Sequence, residues 1–219
     1  MPRPLFIIFA FLTATLATAA TVQDRVTQYG APVRARMEPL FKTNAIPYPA
    51  ARLTLIALKE EKRLELWAGA AKGPMRLIKT YPIKAASGVA GPKLREGDRQ
   101  VPEGIYAIES LNPNSRFHLS LRINYPNAFD RARAKEERRV NLGGDIMIHG
   151  NAVSIGCLAM GDEAAEELFV LAAQTGVKNI TVLLCPCDLR VQNFTPPFTA
   201  PEWTTTVYKN LKTALENYK

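Results

Sequence analysis

Ile146-Met147-Ile148-His149-Gly150-Asn151-Ala152-Val153-Ser154-Ile155-Gly156-Cys157 is the stretch on which the fold and the chemistry turn. An apolar strand, Asp145 to His149, ends in His-Gly. A short loop follows, then Gly-Cys, and Asp162 opens a helix five residues after the cysteine. A free thiol of pKa ~8.5 is only ~3% thiolate at pH 7, so a nucleophilic cysteine needs a base. His149 lies eight residues upstream of Cys157. Fully extended, that stretch would span more than ~25 Å at ~3.3 Å per residue. The loop must double back, and Gly150 and Gly156 permit the turns. A strand-end histidine and a cysteine on the returning loop can then act together. Gly156 also lets nearby backbone amides point at a developing oxyanion. The competing reading is a satisfied core histidine and a small buried cysteine.

Downstream, Asp162 is placed as the N-cap of a helix with Glu163, Glu166 and Glu167 in its first turns and Gly176 as its stop. Asn179 to Leu184 reads as a buried strand. Pro186, Pro196, Pro197 and Pro201 punctuate a tail over 188–219. That tail ends in an amphipathic helix with Val207, Leu211 and Leu215. Upstream, Leu53–Leu58, Leu64–Trp67, Met75–Lys84, Ile105–Glu109 and Phe117–Ile123 are strand candidates. Gly88 to Gly104 is a long loop. The charge run Arg131–Arg139 is a solvated loop or short helix. Residues 24–46 form a leading helix that Pro39 is expected to break or kink. The fold class is mainly β with attached helices, and 52–187 is the expected catalytic domain, preceded by a helix and linker over 21–51.

Residues 1–20 have the layout of a secretory signal peptide. Arg3 is followed by the uncharged apolar stretch Leu5–Leu16 and the small residues Ala17-Thr18-Ala19-Ala20. That core is shorter than the ~20 residues of a spanning helix. The expectation is export to the periplasm without a stable membrane anchor. The formal charge of +8 suits an anionic wall polymer, and no nucleic-acid motif is present. Cys185 and Cys187, separated only by Pro186, would make a strained disulfide at best, or two local thiols. Two histidines and no second cysteine pair at zinc spacing argue against a metal site. Cys157 is then the thiol to explain.

His149-Gly150 followed by Ser154-Ile155-Gly156-Cys157 resembles the active-site motif of the YkuD-type L,D-transpeptidases, His-Gly, a spacer, then Ser/Thr-His-Gly-Cys. Gly91-Pro92-Lys93, Pro102-Glu103-Gly104, Phe117 to Leu121 and Tyr125-Pro126-Asn127 make the chain similar to the YafK-like branch in particular. The resemblance implies a YkuD-type β-sandwich with Cys157 as nucleophile, His149 as base and the Gly150 carbonyl orienting the imidazole. It implies attack at the L-centre carbonyl of meso-diaminopimelate in a peptidoglycan stem peptide, with no metal or organic cofactor. Two motif residues differ. Ile155 replaces the second histidine, and Ala159 the arginine two residues after the cysteine; both lost groups are expected beside the substrate. The branch shares these changes and is associated with releasing an outer-membrane lipoprotein's lysine from peptidoglycan. Hydrolysis of that bond by an amidase is therefore the preferred expectation. Cross-linking or D-amino-acid exchange by a transpeptidase is the alternative. A non-catalytic wall-binding module, or Cys157 locked in a disulfide with Cys185 or Cys187, is the alternative of another class. Ser154 is expected to support the cysteine loop or the substrate. His118, placed by alternation on one face with Ser120, is a candidate groove residue, as are Arg95, Lys93 and Arg131 for substrate carboxylates.

Overall fold

The run Leu53–Leu58 is apolar at every position except Thr54 because it is buried on both faces. In the computed structural model, which describes residues 19–219, it lies in strand β1 (Arg52–Leu58). Leu53, Leu55 and Ala57 face one apolar cluster, while Ile56 and Leu58 face a second. β1 pairs antiparallel with β2 (Arg63–Gly69), which pairs with β3 (Arg76–Pro82). On its other edge β1 runs parallel to β9 (Ile180–Cys185). Of the expected signal peptide, residues 1–18 lie outside the described residues.

The sheet then curls through β5 (Gly104–Ser115), which serves two neighbours. Gly104–Ala107 pair with β9, and Ile108–Ser115 pair with β6 (His118–Ile123) across two register shifts. The short strands β7 (Met147–His149), β8 (Leu158–Ala159) and β4 (Ala85–Ala86) complete the order β3-β2-β1-β9-β5-β6-β7-β8-β4. The chain is therefore mainly β, as its alternating segments predict.

Helices cover the two faces. α1 (Val22–Thr43) and α3 (Asp162–Thr175) supply Val33, Met37, Phe41, Leu168, Phe169 and Leu171 to the first cluster. α4 (Thr204–Leu215) supplies Val207, Tyr208, Leu211 and Leu215 to the second. Each such side chain contributes about 1.5–3 kcal/mol on burial. α2 (Ala128–Glu136), capped by Asn127, occupies the charge run.

Three local expectations change. α1 passes through Pro39 without a break. Val33, Met37 and Phe41 fall on one face at four-residue spacing and are fully buried, which offsets the lost backbone bond. The helix also starts earlier than expected, because Thr21 and Asp24 form a reciprocal capping box. Gly161, not Asp162, takes the N-cap of α3, at φ +82°. The second reading of Cys185 and Cys187, two local thiols, holds: both are free and fully buried under α4.

One buried charge joins three elements. Glu167 is fully buried and accepts from Arg36 Nε (2.7 Å), Lys79 Nζ (2.7 Å) and Tyr81 OH (2.9 Å). A buried carboxylate is tolerated only with such partners, so this cluster fixes how α1 and β3 sit on α3.

Candidate active site

Strand register builds the site. Ser120 pairs with His149 and Arg122 with Met147 across β6 and β7, while Ile148 pairs with Leu158 across β7 and β8. Side chains alternate between faces. Leu121, Ile148 and Leu158 therefore point into the core, and Ser120, Arg122, Met147 and His149 form the floor of a cleft of ≈ 830 Å³. β7 and β8 run parallel. The connecting loop must therefore return along the strand, and it delivers Cys157 beside Met147 rather than beside the strand end. Cys157, the residue just before β8, and His149 of β7 thus turn to one face, and strand spacing and rise put them diagonally about 8 Å apart at Cβ. Both line the cleft.

His149 is held by two contacts. Its Nδ1 lies 2.6 Å from the Gly150 carbonyl. A carbonyl only accepts, so Nδ1 carries the proton and Nε2 is left with a lone pair. Phe117 stacks on the imidazole with centroids 4.8 Å apart and a 33° tilt. Burial holds the His149 pKa below the ordinary imidazole value, and the Gly150 carbonyl only partly opposes this. Cys157 accepts from Met147 N–H (3.4 Å), and its thiol donates to the Asp145 carbonyl (3.5 Å). Burial raises the Cys157 pKa above the usual thiol range; the Asp145 carboxylate adds to this, while Met147 N–H and Lys93 oppose it. In the free protein both groups are consequently neutral near pH 7.

The loop between them is organised by Ser154. Its Oγ accepts from Gly156 N–H (3.3 Å) and Cys157 N–H (3.1 Å), and donates to the Cys157 carbonyl (2.6 Å). Gly156, at φ +128°, makes that turn possible. The two amides expected to face an oxyanion are therefore taken up by Ser154 in the free protein. Ser154 supports the loop; Gly156 shapes it.

Gly150 is required for a different reason. A Cβ there would lie 2.5 Å from Asp162 Oδ1, 2.8 Å from the Phe117 carbonyl and 2.9 Å from His118 Cβ. Asp162 is itself engaged, accepting from Asn151 N–H at 2.7 Å. Gly150→Ala is expected to lower stability by about 1–3 kcal/mol, the range for a forced overlap. It should also reduce kcat/KM about tenfold, because the displaced segments carry the Gly150 carbonyl and Phe117. Thermal unfolding with steady-state assays checks this; unchanged values for both would contradict it.

The groove candidates divide. Lys93 lines the cleft but is buried, its ammonium held by Asp98 (2.6 Å) and the Arg95 carbonyl (2.9 Å). His118 is turned away. It adopts φ +71° where β5 and β6 shift register, which breaks the alternation that paired it with Ser120. Its Nε2 meets Glu166 at 3.0 Å, and its ring packs edge-on against Tyr29 of α1. Arg95 lines a separate cavity with Leu94 and Val140. Arg131 projects from α2 as an exposed residue, away from the cleft. Of the two replaced motif positions, Ile155 is exposed at the cleft, whereas Ala159 is fully buried in β8 and lines none of it. Missed from the sequence were Phe117, Arg99, Arg116, Arg122 and Asp145, all cleft residues. The alternation of Ser120 and Arg122 could have revealed Arg122; Arg116 and Phe117 sit in a turn, and Arg99 and Asp145 in irregular segments.

All three cysteines are free, and Cys157 is at the cleft while the other two are in the second core. Residues 53–182 match the YkuD family, described as the L,D-transpeptidase catalytic domain. The chain is 41% identical over 113 residues to YafK of Escherichia coli strain K12, and equally to YafK of strain O157:H7. Those alignments take in 51% of this chain and 43% of each relative, so the chain spans less than half the length of the curated proteins it matches. Among solved structures, the helical cell shape determining protein Pgp2 of Campylobacter jejuni shares the fold at TM-score 0.50 and 17% identity, over 77% of this chain and 70% of that one. With its matched segment containing the cleft, His149 and Cys157, the chain belongs to the YkuD family of L,D-transpeptidase catalytic domains.

Proposed function

We propose that this chain is an exported cell-wall amidase that uses Cys157 to cleave the bond between a lipoprotein lysine and peptidoglycan. The observation that carries the reading is the shared face of β7 and β8. It sets the Cys157 thiol diagonally from an imidazole whose Nδ1 is already committed to Gly150. His149 Nε2 takes the thiol proton as Sγ attacks the L-centre carbonyl of meso-diaminopimelate. The tetrahedral intermediate collapses, its C–N bond breaks, and the imidazolium returns the proton to the departing lysine amine. Water, deprotonated by the same imidazole, then opens the thioester and regenerates the thiol. The free carboxylic acid leaves with the wall fragment.

Ile155 supports water as the final acceptor. It stands exposed at the cleft where the family motif has a histidine, and it cannot hydrogen-bond to an incoming amine. The formal charge of +8 suits an anionic wall. Among the described residues no helix is long and apolar enough to cross a membrane. The test is incubation of purified protein with lipoprotein-linked and with unlinked wall, followed by fragment analysis. Release of lipoprotein is expected from the first substrate, with no new cross-links in the second. Cross-links or D-amino-acid exchange without lipoprotein release would establish a transpeptidase instead.

A further inference from the structure

Among the described residues four cations line the Cys157 cleft, and two of them are spoken for. Lys93 is held by Asp98, and Arg122 bridges Glu109 and Asp145 at 2.7 Å each. Arg99 and Arg116 are exposed, and neither guanidinium has an ion-pair or hydrogen-bond partner among the described residues. Their placement is two-sided. Arg99 adjoins Gln100, whose carbonyl lies 3.7 Å from where a Cβ on Gly156 would sit, so it borders the nucleophile's loop. Arg116 is in the β5–β6 turn, next to the Phe117 that stacks on His149, so it borders the base. Of the two acids that line the cleft among the described residues, Asp145 is paired with Arg122, and the carboxylate of Glu96 lies over Gly143.

We propose that Arg99 and Arg116 form a two-sided clamp for the carboxylates of the acyl donor. They would be specificity-determining residues for the acyl donor. The inference deepens the wall-enzyme reading and rests on it for the donor's identity. The Cα that bears the scissile carbonyl leads to a carboxylate along each of its two other branches: the α-carboxylate of the γ-linked glutamate through its nitrogen, and the D-centre carboxylate of diaminopimelate through its side chain. Unpaired guanidinium groups match such oxygens in geometry as well as charge.

The test has two arms on the full chain. The first compares alkylation of Cys157 by iodoacetate and by iodoacetamide at low ionic strength, with the site mapped by mass. Cys185 and Cys187 are fully buried and do not compete. The iodoacetate-to-iodoacetamide rate ratio should exceed that of free cysteine and fall with salt. It should drop about threefold or more in Arg99→Gln and Arg116→Gln, and Arg116→Lys should retain most of it. The iodoacetamide rate itself should stay within about twofold, as a merely structural defect would not allow. The second arm compares stem peptides with analogues amidated at either carboxylate. Each Gln variant should lose discrimination at one carboxylate, chiefly through KM. A ratio that neither substitution moves overturns the clamp. A ratio that moves while no stem peptide is turned over leaves the anion site standing and overturns its assigned ligand together with the wall reading.

Discussion

Cys157→Ala abolishes turnover, by at least about a thousandfold, and leaves the fold intact. The thiol's contacts are long, 3.4 Å from Met147 N and 3.5 Å to the Asp145 carbonyl, so deleting it should cost less than about 1 kcal/mol. The chemistry has no such margin. Every proposed step passes through an Sγ–carbon bond, and no other thiol reaches the cleft. Serine does not substitute well, because a site that already raises a thiol's pKa penalises an alkoxide more. Intact-mass measurement on wild-type protein mixed with stem-peptide substrate should show a thioester adduct, which the Ala variant lacks. A variant that keeps wild-type turnover would leave a wall-binding module as the better account, since binding does not need the sulfur.

The sequence carried the site further than it carried the walls around it. His149 and Cys157 stood out because each lies at the edge of a glycine-marked turn, and the apolar residues Ile146 and Ile148 marked the strand that ends in His149. β1 was legible from its unbroken apolar run, but its parallel partner β9 lies more than a hundred residues away, and pairing across that distance leaves no local mark. Asp162 has the chemistry of an N-cap, yet Gly161 can adopt φ +82°, which frees the carboxylate to hold Asn151. Residues in and around the cleft were read least well where non-glycine residues adopt positive φ. His118 (+71°), Arg99 (+56°) and Asp145 (+55°) all do so. At His118 this reversed the face assignment, sending the histidine toward Glu166 and leaving Ser120 on the cleft floor. Such conformations cost energy locally and persist only because the surrounding pairing imposes them. A single sequence therefore does not announce them.

The second large effect concerns His149 and the pH dependence. At ordinary values of ~6.5 for imidazole and ~8.5 for a thiol, moving the proton from cysteine to histidine is uphill by about 2.7 kcal/mol. Burial widens that gap in this cleft, lowering the histidine and raising the cysteine. The free protein therefore holds a neutral thiol and a neutral imidazole, and the proton moves only as the carbonyl is attacked. The acid limb of kcat/KM tracks protonation of His149, so it should lie below the ordinary imidazole range. The alkaline limb tracks loss of the thiol proton, so it should lie above the ordinary thiol range. Between them the profile is flat. Iodoacetamide should show no low-pH plateau of Cys157 reactivity, because no ion pair is preformed. His149→Gln should lower kcat/KM by about 10²–10⁴, the usual worth of a positioned base. Its residual rate should climb about tenfold per pH unit, as hydroxide alone then makes the thiolate. Alkylation that persists unchanged down to about pH 5 would show a preformed thiolate–imidazolium pair instead. A Gln variant that keeps the wild-type plateau would remove His149 from the proton's path altogether.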